Sequence, residues 1–296
     1  MKVLLTGGSG LLGLTLLHSI PNELQVWATY HAAGRLEPTN TYSTLEMDIR
    51  DRKAVIQGVD AIKPDVIIHT ASIGNVDYCE THQDEGRQVN VAGTRYLVRA
   101  GEQYGSRFIY TSTNAVFDGE HAPYGEEDPP HPIHFYGQTK FESEQLIEAS
   151  QLESTIIRPI LMYGWNTPQQ RPNFVTWLLN EFLKGHSIRI LKDVYCNPLP
   201  VFQCADAIWT CLLNRRQGCF HIAGRDRVSM YEFGLAVADV FEQDASNLQP
   251  VSRDEMGQLV RRPADTTYRT DKMESILGLT PLGLREGLVR MREKRP

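Results

Sequence analysis

The sequence predicts an α/β protein in which a Rossmann-type, doubly wound parallel sheet is joined to a smaller mixed α/β C-terminal substrate domain. Short β-rich runs alternate with amphipathic helical segments through residues 1–160, as in a parallel sheet with helices on both faces. A glycine-rich segment, residues 6–13, separates the first strand from the first helix, where such folds bind phosphate groups. The predicted cofactor-binding domain is 1–160, with return segments near 200–225, and residues 161–296 mainly form the substrate region.

The first half of the chain carries the regular alternation. Strands are predicted over 3–5, 26–29, 44–47, 66–69, 108–111 and 155–157. Helices are predicted over 11–19, 52–62, 84–104 and 135–149, because their apolar residues recur every three or four positions. The run Val66-Ile67-Ile68 is apolar throughout, which indicates a strand buried on both faces.

The second half alternates less regularly. Helices are predicted over 173–183, 204–213, 229–241 and 271–277, and strands over 188–191 and 219–222. Loops with prolines separate these elements, and no internal repeat or low-complexity linker divides the chain. Two regions that meet at the carboxyl ends of a parallel sheet would form a ligand-binding cleft.

Composition restricts the class of protein. Of 296 residues, 41% are hydrophobic and 22% charged, which is typical of a globular protein and not of a collagen-like, disordered or coiled-coil chain. The net charge of −6 provides no basic surface for nucleic acid or an anionic membrane. The five cysteines include no C-x-x-C pair, so we expect a reducing cytoplasm and neither a disulfide framework nor a zinc site. Glycines interrupt the apolar N-terminal stretch, which disfavours a signal peptide.

The segment Thr6-Gly7-Gly8-Ser9-Gly10-Leu11-Leu12-Gly13 predicts a dinucleotide-binding turn. Gly7 permits the tight turn, Gly10 lets the backbone approach a pyrophosphate, and Gly13 lets the helix pack closely on the sheet. An ATP-binding P-loop is disfavoured because the Gly-Lys-Ser/Thr ending of that motif is absent. The predicted cofactor contacts in this loop and at the following strand ends are Gly7, Ser9, Gly10, Leu11, Leu12, Gly13, His31, Asp48, Ile49, Thr70 and Ala71.

The end of the second strand bears on the choice between NAD(H) and NADP(H). An acid at this point would bind the 2′-hydroxyl of NAD, but the strand ends in Tyr30-His31, and Arg35 precedes the first acid, Glu37. Because a guanidinium attracts a 2′-phosphate, Arg35 favours NADP(H) over NAD(H), and the alternative is a solvated loop arginine. Asp48 is predicted to contact the adenine amino group, on position alone.

Tyr136 and Lys140 lie one turn apart on one face of a predicted helix. The hydroxyl cluster 111–113 precedes them at the carboxyl end of the fifth strand, where ligands collect in parallel sheets. In the predicted mechanism, Tyr136 donates a proton to a carbonyl oxygen as a hydride reaches its carbon, and Thr113 aligns that oxygen. Lys140 and an oxidised nicotinamide would lower the pKa of Tyr136, and Lys140 would hold the nicotinamide ribose. A surface helix pair is the alternative interpretation.

A second pair, Tyr268 and Lys272, shares this spacing, but no such strand precedes it, so we expect Tyr268 to be structural or near the substrate. Asn90 is either an active-site anchor or a capping residue. The predicted substrate contacts are Asn114, Asn173 and Arg262, and Arg262 would bind a diphosphate or lie on the surface as an ordinary arginine. No metal site is predicted, because His131 and His134 lack acids or cysteines at ligand spacing.

As a set, these motifs resemble the extended short-chain dehydrogenases/reductases, and within them the dTDP-4-dehydrorhamnose reductase group of nucleotide-sugar enzymes. The resemblance runs nearly end to end and includes the glycine loop, Asp77-Tyr78-Cys79-Glu80, Asn90-Val91-Ala92-Gly93-Thr94, Phe117-Asp118-Gly119, the Tyr136 and Lys140 pair, Ala205-Asp206 and Arg262-Pro263. It implies nicotinamide-dependent reduction of a 4-keto sugar nucleotide, with Thr113, Tyr136 and Lys140 as catalytic residues and a small-molecule keto substrate as the binding partner.

The chain departs from the pattern of this group at two places. Asn114 stands where an acid usually follows the threonine, and residues 193–199 differ from the usual Asp-Gln-x-Gly-x-Pro-Thr segment. The absence of an Asp-Glu pair after Thr113 disfavours the related dehydratases, which use those acids to eliminate water. The alternatives are an epimerase and a cofactor-binding regulatory subunit like the methionine adenosyltransferase β subunit. The identity of the sugar and a homodimeric state are left open.

Overall fold

The computed structural model describes residues 1–31, 36–257 and 259–295 of the chain. The strands, in chain order, are β1 (Lys2–Thr6), β2 (Gln25–Tyr30), β3 (Tyr42–Glu46), β4 (Val66–His69), β5 (Arg107–Thr111), β6 (Ser154–Pro159), β7 (Met162–Tyr163), β8 (Ile188–Leu191), β9 (Tyr195–Cys196), β10 (Leu199–Pro200), β11 (Gly218–Ile222), β12 (Val228–Ser229) and β13 (Leu248–Val251). The helices are α1 (Leu11–His18), α2 (Arg52–Ile62), α3 (Val76–Thr81), α4 (Gln83–Arg87), α5 (Thr94–Glu102), α6 (Phe135–Glu148), α7 (Phe174–Lys184), α8 (Val201–Leu213), α9 (Met230–Val240), α10 (Arg253–Met256), α11 (Asp271–Leu277) and α12 (Leu284–Glu293).

Within the described residues, seven strands form one sheet in the spatial order β11-β6-β5-β4-β1-β2-β3. All neighbouring strands of this sheet are parallel. The strand order reverses between β1 and β4, and such a switch point is where doubly wound sheets bind ligands. The predicted Rossmann-type fold is therefore confirmed, and β11 from the second half of the chain supplies one edge strand beside β6.

Apolar cores cover both faces of this sheet. On one face, α1 and α8 pack together over Leu5 and Ile109. On the other face, α2 and α5 cover Leu4 and Ile67. Successive residues of β1 therefore enter opposite cores, which explains why the inner strands β1 and β4 carry apolar residues in succession. Each of these fully buried side chains contributes about 1.5–3 kcal/mol relative to an exposed position.

A separate core belongs to the smaller lobe, the name we give to α7, α9, α12 and the parallel pair β8 and β13. Leu178, Phe233 and Leu288 are buried at its centre. The short pairs β7–β10 and β9–β12 lie between this lobe and the central sheet. The smaller lobe thus reaches the carboxyl edge of the sheet, where the switch point lies.

The predicted helix over 84–104 is present as a continuous helical run over 83–102, but it is not a uniform α-helix. The first part, α4, ends at Arg87, a π-helical turn spans Gln88–Gly93, and α5 begins at Thr94. A π-helical turn inserts a residue without ending the run of helical, amphipathic sequence, so apolar spacing does not reveal it. The other predicted elements are present, with ends that differ by at most three residues.

None of the helices in the described ranges combines the length and apolar character that a membrane span requires. The five cysteines are free thiols, and all except Cys219 are buried. Burial raises the pKa of Cys79 to about 11, which keeps this thiol protonated at neutral pH.

Candidate active site

Two adjoining cavities lie at the carboxyl edge of the central sheet. Cavity A, of about 800 Å³, passes the ends of β2 and β3 and is lined by His31, Tyr42 and Asp48. Cavity B, of about 710 Å³, lies over the ends of β5 and β6, reaches the smaller lobe and is lined by Thr113 and Tyr136. The two cavities share lining residues from the loops after β1 and β4 and from the segment 164–173, namely Gly7, Gly10, Leu11, Thr70, Ser72, Ile73 and Arg171.

The glycine loop forms the junction of the two cavities. Gly7 has a positive φ of 75°, and a Cβ there would lie 2.7 Å from the Ala71 nitrogen. A Cβ on Gly13 would collide with the carbonyl oxygen of Gly7, so both positions require glycine. Gly10 precedes α1 without a side-chain cap, and the first-turn N–H groups remain available to an anion.

The described residues predicted to contact a cofactor line these cavities, apart from Lys140. Cavity A is lined by Gly7, Ser9, Gly10, Leu11, His31, Asp48, Ile49, Thr70 and Ala71, and cavity B by Leu12, Gly13 and Tyr136. Arg35 lies outside the described residues.

Asp48 has a partner that the sequence did not reveal. The Arg50 guanidinium donates from Nε to Asp48 Oδ1 at 3.0 Å and from Nη2 to Asp48 Oδ2 at 2.7 Å. These hydrogen bonds lower the pKa of Asp48. Arg50 already donates to both carboxylate oxygens of Asp48. An adenine amino group in the predicted contact would therefore share one of these oxygens with Arg50. A basic residue two positions after Asp48 was the available signal for Arg50.

Local hydrogen bonds position Thr113 and Tyr136 in cavity B. His134 caps α6, where its Nδ1 accepts from the Gly137 N–H at 3.1 Å, and this cap sets Tyr136 in the first helical turn. The Thr113 Oγ1 accepts from the Ala115 N–H at 3.1 Å, which holds this hydroxyl at the end of β5. Thr113 and Tyr136 therefore open on the same cavity as the glycine loop.

Lys140 lies beneath this surface, with 2% of its area exposed. The ammonium Nζ donates to the Thr111 carbonyl oxygen at 2.7 Å and lies 4.1 Å from the centre of the Tyr110 ring. Burial lowers the pKa of Lys140 to about 7, because a buried site disfavours the charged form.

The pKa of Tyr136 differs from the sequence-based expectation. Burial raises this pKa to about 12, and a hydrogen bond with the Thr113 hydroxyl opposes the rise only in part. The sequence predicts that Lys140 lowers the pKa of Tyr136, but the ammonium of Lys140 is directed to the carbonyl oxygen of Thr111. In this structure, the cost of burying a phenolate is therefore the larger effect.

Asn90 is a buried anchor in the π-helical turn. Its Oδ1 accepts from the Ile73 N–H at 2.9 Å, and its Nδ2 donates to the Ile73 carbonyl at 3.2 Å and to Thr139 Oγ1 at 3.1 Å. The Asn90 carbonyl accepts from the hydroxyls of Thr94 and Ser143 at 2.6 and 2.7 Å. The turn thus fixes the loop after β4, whose Ile73 lines both cavities, against α6.

The three predicted substrate residues all line cavity B, but each has an internal partner. Asn114 Nδ2 donates to Thr266 Oγ1 at 2.7 Å. Asn173 caps α7, and its Nδ2 donates to the Gly164 carbonyl at 2.6 Å. Arg262 Nη2 lies 2.8 Å from Asp77 Oδ2. Asn173 therefore holds the fold of the cavity wall, and a ligand of Arg262 would compete with a carboxylate.

The second tyrosine and lysine pair is structural. Tyr268 stacks on His221 with ring centres 3.9 Å apart. Lys272 Nζ donates to the carbonyl oxygen of Cys219, in β11, at 2.6 Å. Neither residue lines cavity A or cavity B. His134 caps α6, and the described residues contain no group of three potential metal ligands.

Comparisons with known proteins agree with this architecture. The family model described as the RmlD substrate binding domain matches residues 1–295. The spore coat polysaccharide biosynthesis protein SpsK of Bacillus subtilis (strain 168) is 28% identical over 288 residues, which cover 97% of this chain and 95% of SpsK. The methionine adenosyltransferase 2 subunit beta of Bos taurus is 29% identical over 304 residues, which cover 97% of this chain and 87% of that subunit.

A solved structure extends the comparison to the whole fold. The dTDP-4-dehydrorhamnose reductase (rfbD) of Bacillus anthracis str. Ames, in complex with NADP, has a TM-score of 0.87 and 25% identity, with 99% of each chain covered. The resemblance drawn from the sequence motifs is confirmed. This chain therefore belongs to the RmlD substrate binding domain family of extended short-chain dehydrogenases/reductases, which are NAD(P)-dependent oxidoreductases.

Proposed function

We propose that this protein is an NADP(H)-dependent reductase of a 4-keto-6-deoxy nucleotide sugar. The observation that carries the proposal is that Thr113 and Tyr136 open on the same cavity as the glycine loop and the N-terminus of α1. A bound dinucleotide and a keto substrate would thereby meet at a proton donor. Similarity to a dTDP-4-dehydrorhamnose reductase over 99% of both chains supports this substrate class.

The residues of cavity B supply the proton-transfer part of the reaction. When bound, the reduced nicotinamide supplies a hydride to the substrate carbonyl carbon. Because its pKa is raised to about 12, Tyr136 is protonated at neutral pH and can donate its phenolic proton to the carbonyl oxygen. Thr113 donates a hydrogen bond to the same oxygen and aligns it. Lys140 donates to the carbonyl oxygen of Thr111 and so holds the end of β5 beneath Tyr136.

The preference for NADP(H) rests on the charges at the far end of cavity A. β2 ends at Tyr30 and His31 follows it, so no acid stands at the strand end itself, and the first acid after it that lines cavity A is Glu37. Arg35, four residues beyond His31 in the sequence, supplies the attracting charge in this proposal. The free thiols of the five cysteines support the further proposal of a reducing, cytoplasmic location.

Tyr136→Phe tests the catalytic assignment. We expect turnover of a 4-keto nucleotide sugar to fall by about 100- to 10,000-fold, because the proton donor is lost. The dissociation constant for NADPH, followed by its fluorescence, should stay within about twofold, since the ring remains in place. NADPH should also bind more tightly than NADH.

Tyr96→Phe provides the matched control. This variant also loses a tyrosine hydroxyl, but from α5 and outside both cavities, so it should retain full activity. Normal turnover in Tyr136→Phe contradicts the proposed mechanism.

A cofactor-binding regulatory subunit is the second candidate function. Similarity to the methionine adenosyltransferase 2 subunit beta over 97% of this chain favours it. A regulatory subunit would bind NADPH without oxidising it in the presence of any 4-keto nucleotide sugar. Tyr136→Phe would then leave both NADPH binding and the regulatory effect on the partner enzyme unchanged.

A further inference from the structure

The segment 164–173 connects the smaller lobe to the glycine loop. Gln170 Nε2 donates to the Ser9 carbonyl oxygen at 2.7 Å. A tight turn holds that side chain in place, because Gln170 Oε1 accepts from the Thr167 N–H and the Gln170 N–H donates to the Thr167 carbonyl, each at 3.0 Å. Three residues later, Asn173 fixes the other end of the segment as the cap of α7.

Arg171 lies between these two fixed points and borders both cavities at their junction. Two other arginines among the described residues line the cavities, and each is paired, Arg50 with Asp48 and Arg262 with Asp77. Arg171 is exposed and, among the described residues, has no carboxylate within ion-pair distance. Of the described arginines that line the two cavities, Arg171 is therefore the one without a carboxylate partner.

We propose that Arg171 binds the diphosphate of the dinucleotide cofactor from the side opposite the glycine loop. The inference rests on the proposed function, because it assumes that a dinucleotide occupies cavities A and B together. The N-terminus of α1 provides backbone N–H groups and a partial positive charge to one side of a diphosphate. A guanidinium on the other side forms paired, charge-assisted hydrogen bonds with phosphate oxygens.

The position of Arg171 selects the diphosphate over other anionic groups. A 2′-phosphate would lie at the far end of cavity A, near His31, whereas Arg171 shares its surroundings with Gly7, Gly10 and Leu11. The diphosphate of a nucleotide-sugar substrate would lie further into cavity B, toward Arg262. Arg171 is therefore assigned to the cofactor diphosphate common to NADH and NADPH.

Binding of ADP-ribose tests this assignment, because this probe carries the diphosphate but neither the nicotinamide nor a 2′-phosphate. We expect Arg171→Gln to raise the dissociation constants for ADP-ribose, NADH and NADPH by similar factors of about 10 to 100. Arg171→Lys should recover part of the affinity through its point charge. The dissociation constant for adenosine 2′-monophosphate, which lacks the diphosphate, should not change.

Arg99→Gln removes a matched exposed arginine from α5, outside both cavities, and should bind ADP-ribose as the wild type does. Thermal unfolding without ligand checks that each variant is folded. Unchanged ADP-ribose binding in Arg171→Gln overturns the assignment. The assignment is also overturned if Arg171→Gln loses affinity only for NADPH and adenosine 2′-monophosphate, or if it raises only the KM for the sugar substrate. If the wild type binds none of the dinucleotides, the proposed function itself fails.

Discussion

Tyr136 and Lys140 lie one helical turn apart, and burial shifts the pKa of each in the direction that favours its neutral form. The phenol of Tyr136 is held protonated by a pKa of about 12, whereas the pKa of Lys140 falls to about 7. A tyrosine in this state can donate a proton at any physiological pH. The lysine, in contrast, changes its charge within the neutral range.

The titration of Lys140 predicts a pH dependence of stability. The lysine pKa is about 10.4 in an unfolded chain but about 7 in the fold, so between these values the unfolded state binds more protons. The free energy of unfolding should therefore rise with pH across this window, by about 2 kcal/mol between pH 7.5 and 9.5 for this group. Lys140→Met should remove that rise in urea unfolding experiments.

Lys53→Met is the control, because it removes one exposed lysine at the start of α2. The wild type and the two variants share all other titrating groups. Differences between their plots of unfolding free energy against pH therefore isolate the contribution of each lysine. A pH dependence equally reduced in both variants would contradict the assignment to Lys140.

Side-chain pairs in the candidate site show why its chemistry was only partly predictable. Thr113, Tyr136 and the glycine loop were identified because each is part of a local motif next to a strand end. Arg262 and Asp77 lie 185 residues apart, and only the fold brings their charges together. Arg171 lies in a proline-flanked loop with no periodic pattern, so its position at the glycine loop had no signal in the sequence.

At the scale of elements, the π-helical turn before α5 places Asn90 between the loop after β4 and α6. Asn90→Ala should lower the free energy of unfolding by about 2–3 kcal/mol, because it leaves the half-buried Ile73 N–H without its acceptor and the buried Thr139 hydroxyl without its donor. Urea unfolding monitored by circular dichroism measures this difference. Asn214→Ala, at the exposed end of α8, should stay within about 0.5 kcal/mol of the wild type. Equal effects of both changes would show that the anchor is unimportant.

Elements with strong periodicity were predictable, and short ones were not. The helix 52–62 and the strand 66–69 have the predicted ends, since their apolar pattern and their burial coincide. The two-residue strands β7, β9, β10 and β12 are too short to show a period. Their pairing depends on how the smaller lobe meets the sheet, which is a tertiary property.

At the scale of the whole molecule, β11 completes the central sheet from the second half of the chain. A chain that ends at residue 160 lacks β11 and α8, so β6 becomes an unpaired edge and the core around Leu5 and Ile109 loses its cover. We expect this fragment to aggregate, because exposed apolar edge strands pair with other chains. Size-exclusion chromatography of the soluble fraction measures the outcome.

Removal of residues 294–296 is the corresponding control, since these residues follow the end of α12. This shortened chain should elute as the full-length protein does. A soluble, monomeric 1–160 fragment would show instead that the first 160 residues fold independently of β11.

The return of β11 to the sheet also limits how new members of this family can arise by recombination. A chimera joined near residue 160 would place a foreign β11 beside the resident β6, and side chains on both faces of that pair would have to fit two cores at once. Exchange of surface segments avoids this conflict. Residues 193–199 border cavity B without contributing to the central sheet, so substrate range can diversify there while the sheet and the segment 164–173 at the glycine loop are inherited intact.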